Sequence, residues 1–135
     1  MIKKINEKDY EYFQQTVNRM EMPECESDIC EWIGANFSET LGFFEKDTVI
    51  AMIETKKTKL GLEVSLIFTL PSYRNKQVGK RLIDFIKKEC KYDIIYAHPY
   101  TDEAEKFFVS NDFELSLEFD QNDENTVIFR KVSQK

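Results

Sequence analysis

Leu62–Ala97 reads LEVSLIFTLPSYRNKQVGKRLIDFIKKECKYDIIYA and changes hydrophobic period twice within one stretch. From Leu62 to Leu70, β-branched and aromatic residues grow nearly continuous in apolarity, as in a strand covered on both faces at the centre of a sheet. Pro71 to Asn75 breaks it. Val78, Leu82, Ile83, Ile86 and Cys90 then recur at helical spacing over about four turns. Asp93 to Ala97 returns to a short buried strand. A strand, a helix and a strand in that order make a crossover between parallel strands, right-handed by the usual rule.

Upstream, Ile2 to Ile5 reads as a short strand, and Asn6 is placed to cap a helix carrying Tyr10, Phe13, Val17 and Met20. Pro23 ends that pattern, and a second helix follows with Ile29, Trp32, Ile33 and Phe37 on one side and Ser27 as its cap. Leu41 to Glu45 and Thr48 to Thr55 form a hairpin about Lys46-Asp47. Downstream, Asp102 caps a short helix through Phe107 and Phe108, with Glu105 completing a capping box. Phe113 to Phe119 and Thr126 to Lys131 pair around the polar turn Asp120 to Asn125. The order β-α-α-β-β-β-α-β-α-β-β gives an α/β chain with a mixed sheet.

The chain has 135 residues, which fits a single domain over 1–135. Nineteen basic against twenty-five acidic side chains leave a net charge of −6, which disfavours nucleic-acid and membrane partners. The longest apolar run is far below the ~20 residues needed to span a bilayer, and charges from Lys3 onward leave no signal-peptide core. A cytoplasmic protein is expected. Cys25, Cys30 and Cys90 lack metal-ligand spacing, and one histidine is too few for a Cys/His cage, so no metal is expected and the thiols read as buried. His98, before Pro99, reads as a loop residue.

Ligands in sheets with parallel strands sit beyond the strands' carboxyl ends, where a loop enters the next helix. Here that place is Leu70 to Lys80. Unpaired N–H groups at a helix start suit phosphate oxygens, and Arg74, Lys76, Lys80 and Arg81 add positive charge to an acidic chain. Taken alone, the same charges also read as a solvated helix face.

Two segments carry a more specific signal. Ile67 to Ile83 contains Arg74-x-x-Gln77-x-Gly79 between strand and helix, and AEKFFVSNDF follows at Ala104–Phe113. The first resembles motif A of the GNAT N-acetyltransferase superfamily, R/Q-x-x-G-x-G/A, and the second resembles that family's A-x-x-F-Y-x-x-x-G-F segment. The resemblance implies a GNAT-like acyl-CoA N-acyltransferase fold. It also implies an enzyme that moves the acetyl group of acetyl-CoA directly to a primary amine within a ternary complex.

Residue by residue, it implies that backbone groups of Phe68, Thr69 and Leu70 pair with the pantetheine, as a strand adds to a sheet edge. Amides from Asn75 through Lys76, Gln77, Val78, Gly79 and Lys80 would hold the pyrophosphate, aided by the charges of Arg74 and Lys80. Phe107 and Phe108 would border the cofactor. Gln77 stands at a glycine of the motif and keeps its N–H for phosphate if its φ is negative. Phe108 stands where the family has the tyrosine that protonates the leaving thiolate, and Asp112 stands at another glycine. These departures motivate a second reading, a catalytically weak CoA-binding regulatory domain.

An amine acceptor must lose a proton before attack. Glu63 matches family members with a strand glutamate and is the candidate base, although it reads equally as an outward-facing strand carboxylate. Glu54 reads as outward-facing. Tyr73 and Tyr100 are candidate substitute acids. Met20 to Glu45 holds seven acidic residues and no Lys or Arg, which suits a cationic small molecule or a protein lysine as acceptor, and equally an acidic solvated face. The resemblance also leaves a homodimer open.

Overall fold

The computed structural model describes residues 1–18, 40–74, 76–99, 101–116 and 126–131. The expected second helix, most of the acidic run, Cys25, Cys30, Asn75 and Tyr100 lie outside them. The described elements are β1 (Ile2–Lys4), α1 (Glu7–Asn18), β2 (Thr40–Glu45), β3 (Thr48–Lys57), β4 (Leu62–Thr69), a 3-10 turn (Pro71–Tyr73), α2 (Val78–Glu89), β5 (Ile94–Ala97), α3 (Asp102–Ser110), β6 (Glu114–Ser116) and β7 (Thr126–Arg130). Seven strands form a mixed sheet in the order β1-β2-β3-β4-β5-β7-β6. The chain forms two compact units, Met1–Glu54 with Leu66–Leu82, and Thr55–Ser65 with Ile83–Lys135.

In the first unit, α1 starts on a reciprocal cap: Asp9 N–H donates to Asn6 Oδ1 at 2.9 Å and Asn6 N–H to Asp9 Oδ2 at 3.0 Å. Phe13, fully buried, meets the Phe68 ring edge-on at 5.9 Å. Burying one such ring stabilises the fold by roughly 1.5–3 kcal/mol. The β2–β3 ladder is antiparallel and shifts register between Phe43 and Phe44. At that irregularity Ile50 turns its carbonyl to accept from Leu70 N–H at 2.9 Å. Val49 through Glu54 are all buried. Glu54 therefore does not face outward: its exposure is 0 %, opposite the equally buried Thr40. On a strand covered on both sides, alternation no longer marks an outer face.

In the second unit, β4 pairs in parallel with β5 through Leu62↔Ile95 and Glu63↔Tyr96. The tight bend leading into β4 uses Gly61 at φ +147°, where a Cβ would lie 2.4 Å from the Ile94 carbonyl oxygen. β5 pairs with β7 from Ile94↔Arg130 to Ala97↔Val127, and β6 lies outside β7.

The cap of α3 differs from the expected Asp102. Thr101 is extended and accepts from Ala104 N–H at 3.0 Å, while Asp102 is the first helical residue. The helix ends in a Schellman motif: Phe113 N–H reaches the Phe108 carbonyl at 3.1 Å and Asp112 N–H the Val109 carbonyl at 3.1 Å. Asp112 supplies the left-handed residue at φ +72°. The hydrophobic contact that accompanies this motif is Phe108 against Phe113, ring centroids 5.1 Å apart. Lys87, 15 % exposed, lies over the Phe129 ring at 4.2 Å and donates to the Asn111 carbonyl. Cys90 is half-buried, and its Sγ accepts from Tyr92 N–H at 3.2 Å.

Candidate functional site

The basic loop and the start of α2 belong to the first unit. One face of β4 is closed by Phe68, and beyond the strand Leu70 is 2 % exposed, so the strand end is fixed before the chain turns. Leu70 N–H donates to the Ile50 carbonyl, so that group is engaged within the fold. Arg74 follows the 3-10 turn and folds back: its Nε donates to the Thr69 carbonyl at 2.9 Å, and its guanidinium lies 5.3 Å from the Phe68 ring. Tyr73, an expected substitute acid, donates to Glu45 Oε1 at 3.4 Å and lies 5.4 Å from the Lys76 ammonium.

Gln77 has φ +65°, so the negative φ on which its N–H role toward phosphate was conditional is not what the chain adopts. An L-residue in this left-handed conformation carries a steric cost of ~1–2 kcal/mol. The turn delivers the chain into α2, with the Gln77 carbonyl accepting from Arg81 N–H at 3.1 Å. Val78 anchors the first turn at 6 % exposure, Gly79 is half-buried, and Lys76, Gln77 and Lys80 are exposed. The first turn of α2 contains no acidic residue. Helices ordinarily place acids there to offset the dipole; this one places Lys80 and Arg81, a charge pattern that suits an anion.

A second arrangement lies on one face of the second unit. Directly paired strand residues share a face, which puts Glu63 beside Tyr96, and Tyr96 beside Ile128. Two residues beyond Tyr96, the His98 ring follows on that face. Its Nδ1 is 3.0 Å from Thr126 Oγ1, and its ring meets Tyr96 edge-on at 5.6 Å. Tyr96 Oη is 2.8 Å from Thr58 Oγ1. Glu63 and His98 are half-buried, whereas Tyr96 is 4 % and Thr126 0 % exposed. His98 is thus a held side chain at the end of β5. The signal missing from its local sequence is the register with Thr126, twenty-eight residues on.

Phe107 is half-buried and Phe108 is 3 % exposed, their rings 5.3 Å apart. Among the described residues no group of three or more His, Cys, Asp or Glu is placed to hold a metal, and no helix is long and apolar enough to cross a membrane.

A mixed sheet with a parallel pair joined through a helix that starts in a basic loop is the acyl-CoA N-acyltransferase fold. The chain belongs to the GNAT acetyltransferase family: the profile described as "Acetyltransferase (GNAT) family" matches residues 2–113. Similar structures include a GNAT-family acetyltransferase from Staphylococcus aureus Mu50, with 18% identity over 96% of this chain and 98% of that one and a TM-score of 0.69. The Bacillus subtilis N-acetyltransferase YlbP, in complex with coenzyme A, has 18% identity over 97% and 96% of the two chains and a TM-score of 0.66. The PaiA N-acetyltransferase of Thermoplasma acidophilum, also in complex with coenzyme A, has 18% identity over 97% and 98% and a TM-score of 0.67. At these identities the likeness is one of fold. No curated protein matches the sequence.

Proposed function

We propose that this chain is an N-acetyltransferase that binds acetyl-CoA with its pyrophosphate at the start of α2 and passes the acetyl group directly to a primary amine. The observation that carries the reading is the acid-free first turn of α2, fed by a left-handed residue and flanked by Lys76, Lys80 and Arg81. Backbone N–H groups and these cations complement phosphate oxygens. Arg74 moves from the Thr69 carbonyl to the phosphates as the pantetheine takes its place. The acceptor is a small-molecule or protein amine, and cytoplasmic acetyl-CoA is the donor.

Thermal shift with acetyl-CoA, CoA and ATP tests the cofactor. A ligand at one hundred times its Kd stabilises by ~2.7 kcal/mol. With an unfolding entropy of ~2.1 cal/mol/K per residue, a 135-residue chain then gains about 10 °C. Shifts with acetyl-CoA and CoA exceeding that with ATP support the proposal; no shift with acetyl-CoA overturns it.

Phe108 favours a second reading, a CoA-binding domain with weak chemistry, because its ring closes the end of α3 and carries no proton to give a thiolate. Acetyl-CoA binding without amine-dependent thiol release would select it.

A further inference from the structure

Building on the N-acetyltransferase reading, we infer that Arg74 is a specificity-determining latch: it covers the end of β4 in the free protein and opens to thioesters that carry a phosphate. Leu70 N–H reaches the Ile50 carbonyl of β3 at 2.9 Å, and Leu70 is still extended at φ −55° and ψ 139°. Backbone groups of successive residues in an extended strand point to opposite edges, so the Thr69 N–H and carbonyl face away from β3. On that edge β4 pairs with β5 at Leu62 and Glu63 and, among the described residues, at no later position. Arg74 takes the Thr69 carbonyl on this open stretch, Nε to oxygen at 2.9 Å.

Two features hold the guanidinium there. Tyr73 N–H bonds to the Leu70 carbonyl at 2.9 Å and Arg74 N–H to the Pro71 carbonyl at 3.3 Å, so the 3-10 turn folds the chain back toward Thr69. The guanidinium then rests 5.3 Å from the Phe68 ring, which is 5 % exposed and braced edge-on by Phe13. All of these groups belong to the first unit.

A ligand shifts such an arrangement only by what it offers the open state beyond the closed one. Pantetheine is uncharged, and at the Thr69 carbonyl it competes with a charge-assisted donor. A phosphate gives the released guanidinium a bidentate anionic partner and so favours the open state. Arg74 precedes Val78, the first residue of α2, by four residues, which keeps the released guanidinium next to the proposed phosphate site. A phosphate-free thioester meets a covered strand end, and its apparent affinity falls by the fraction of protein that is open. The class admitted is the phosphate-bearing pantetheine thioester.

The test measures binding of CoA, 4′-phosphopantetheine and pantetheine to wild type and Arg74→Ala by isothermal titration. Arg74 is exposed, so the variant should melt within ~2 °C of wild type. Arg74→Ala should tighten pantetheine roughly three- to tenfold. CoA and 4′-phosphopantetheine lose an anion partner and should bind no more tightly than to wild type. Pantetheine affinity that is unchanged or weaker in the variant overturns the latch, as a simple phosphate contact or a structural role would produce. An equal gain for all three ligands also overturns it, because the latch would then be indifferent to phosphate.

Nitrogen NMR of the arginine side chains reads the closed state without any ligand, with Arg74→Lys assigning the signal. The Arg74 Nε–H of free wild type should exchange slowly with water, and exchange as fast as that of free arginine overturns the latch. If wild type binds neither CoA nor acetyl-CoA, the N-acetyltransferase reading falls, and this one with it. If CoA binds and Arg74→Ala gains nothing for pantetheine, the latch alone falls.

Discussion

Replacing Gln77 by glycine acts on a residue that already sits at φ +65°, immediately before α2. An L-residue in this conformation carries a steric cost of ~1–2 kcal/mol that glycine lacks. Glycine in turn loses more freedom on folding, by ~0.4–1 kcal/mol. The difference is a net stabilisation of about 0.5–1 kcal/mol. Unfolding entropy for 135 residues is about 0.28 kcal/mol/K, so Gln77→Gly should melt ~2–4 °C above wild type. The side chain is exposed, so its removal costs no packing.

A graded series makes the test sharp. Asparagine tolerates the left-handed region and should fall between Gly and Gln, alanine should match Gln, and valine, whose branched Cβ is disfavoured there, should lose ~1 kcal/mol or more. Differential scanning fluorimetry reads the order Gly, Asn, then Gln and Ala, then Val. Relief of strain should raise the melting temperature without tightening acetyl-CoA. A glycine variant that melts at or below wild type refutes the strain. A several-fold gain in affinity at unchanged melting temperature would show that the turn forms only on binding, which also refutes the reasoning.

Phe108→Tyr adds a hydroxyl to a ring that is 3 % exposed and wedged between Phe107 and Phe113. Burying it without a partner costs roughly 1–3 kcal/mol, so the melting temperature should drop by about 4–10 °C and thiol release should not increase. A faster release at unchanged stability would show that the hydroxyl reaches the sulfur. Gly61→Ala forces a Cβ to within 2.4 Å of a backbone oxygen at φ +147°; a loss of at least ~3 kcal/mol should appear as little soluble protein or a fall above about 10 °C. Near-wild-type melting would refute that clash.

Much of the fold is legible where the hydrophobic period changes. β4, α2 and β5 fall within one or two residues of the expectation because strand and helix patterns alternate without ambiguity. The misses have local causes. Thr101 and Asp102 are adjacent cap-forming residues, and the extended backbone at Thr101, φ −130° and ψ 158°, decides between them. Glu54 reads as outward because a lone carboxylate among apolar strand residues marks solvent on a one-sided sheet, but β3 is covered on both sides. The basic loop is visible as charge, whereas the return of Arg74 to Thr69 depends on the tight turn at Pro71–Tyr73. His98 gains a partner only through the β5–β7 register, which no local window contains.

The two lost glycines and the lost tyrosine of the family motifs are different kinds of departure. Gln77 and Asp112 stand at glycine positions of the motifs and are both left-handed, with φ +65° and +72°. The left-handed conformation costs an L-residue ~1–2 kcal/mol at each position. The tyrosine contributed a side-chain proton, and backbone geometry cannot replace it. Phe108 instead serves the fold, closing the Schellman motif against Phe113.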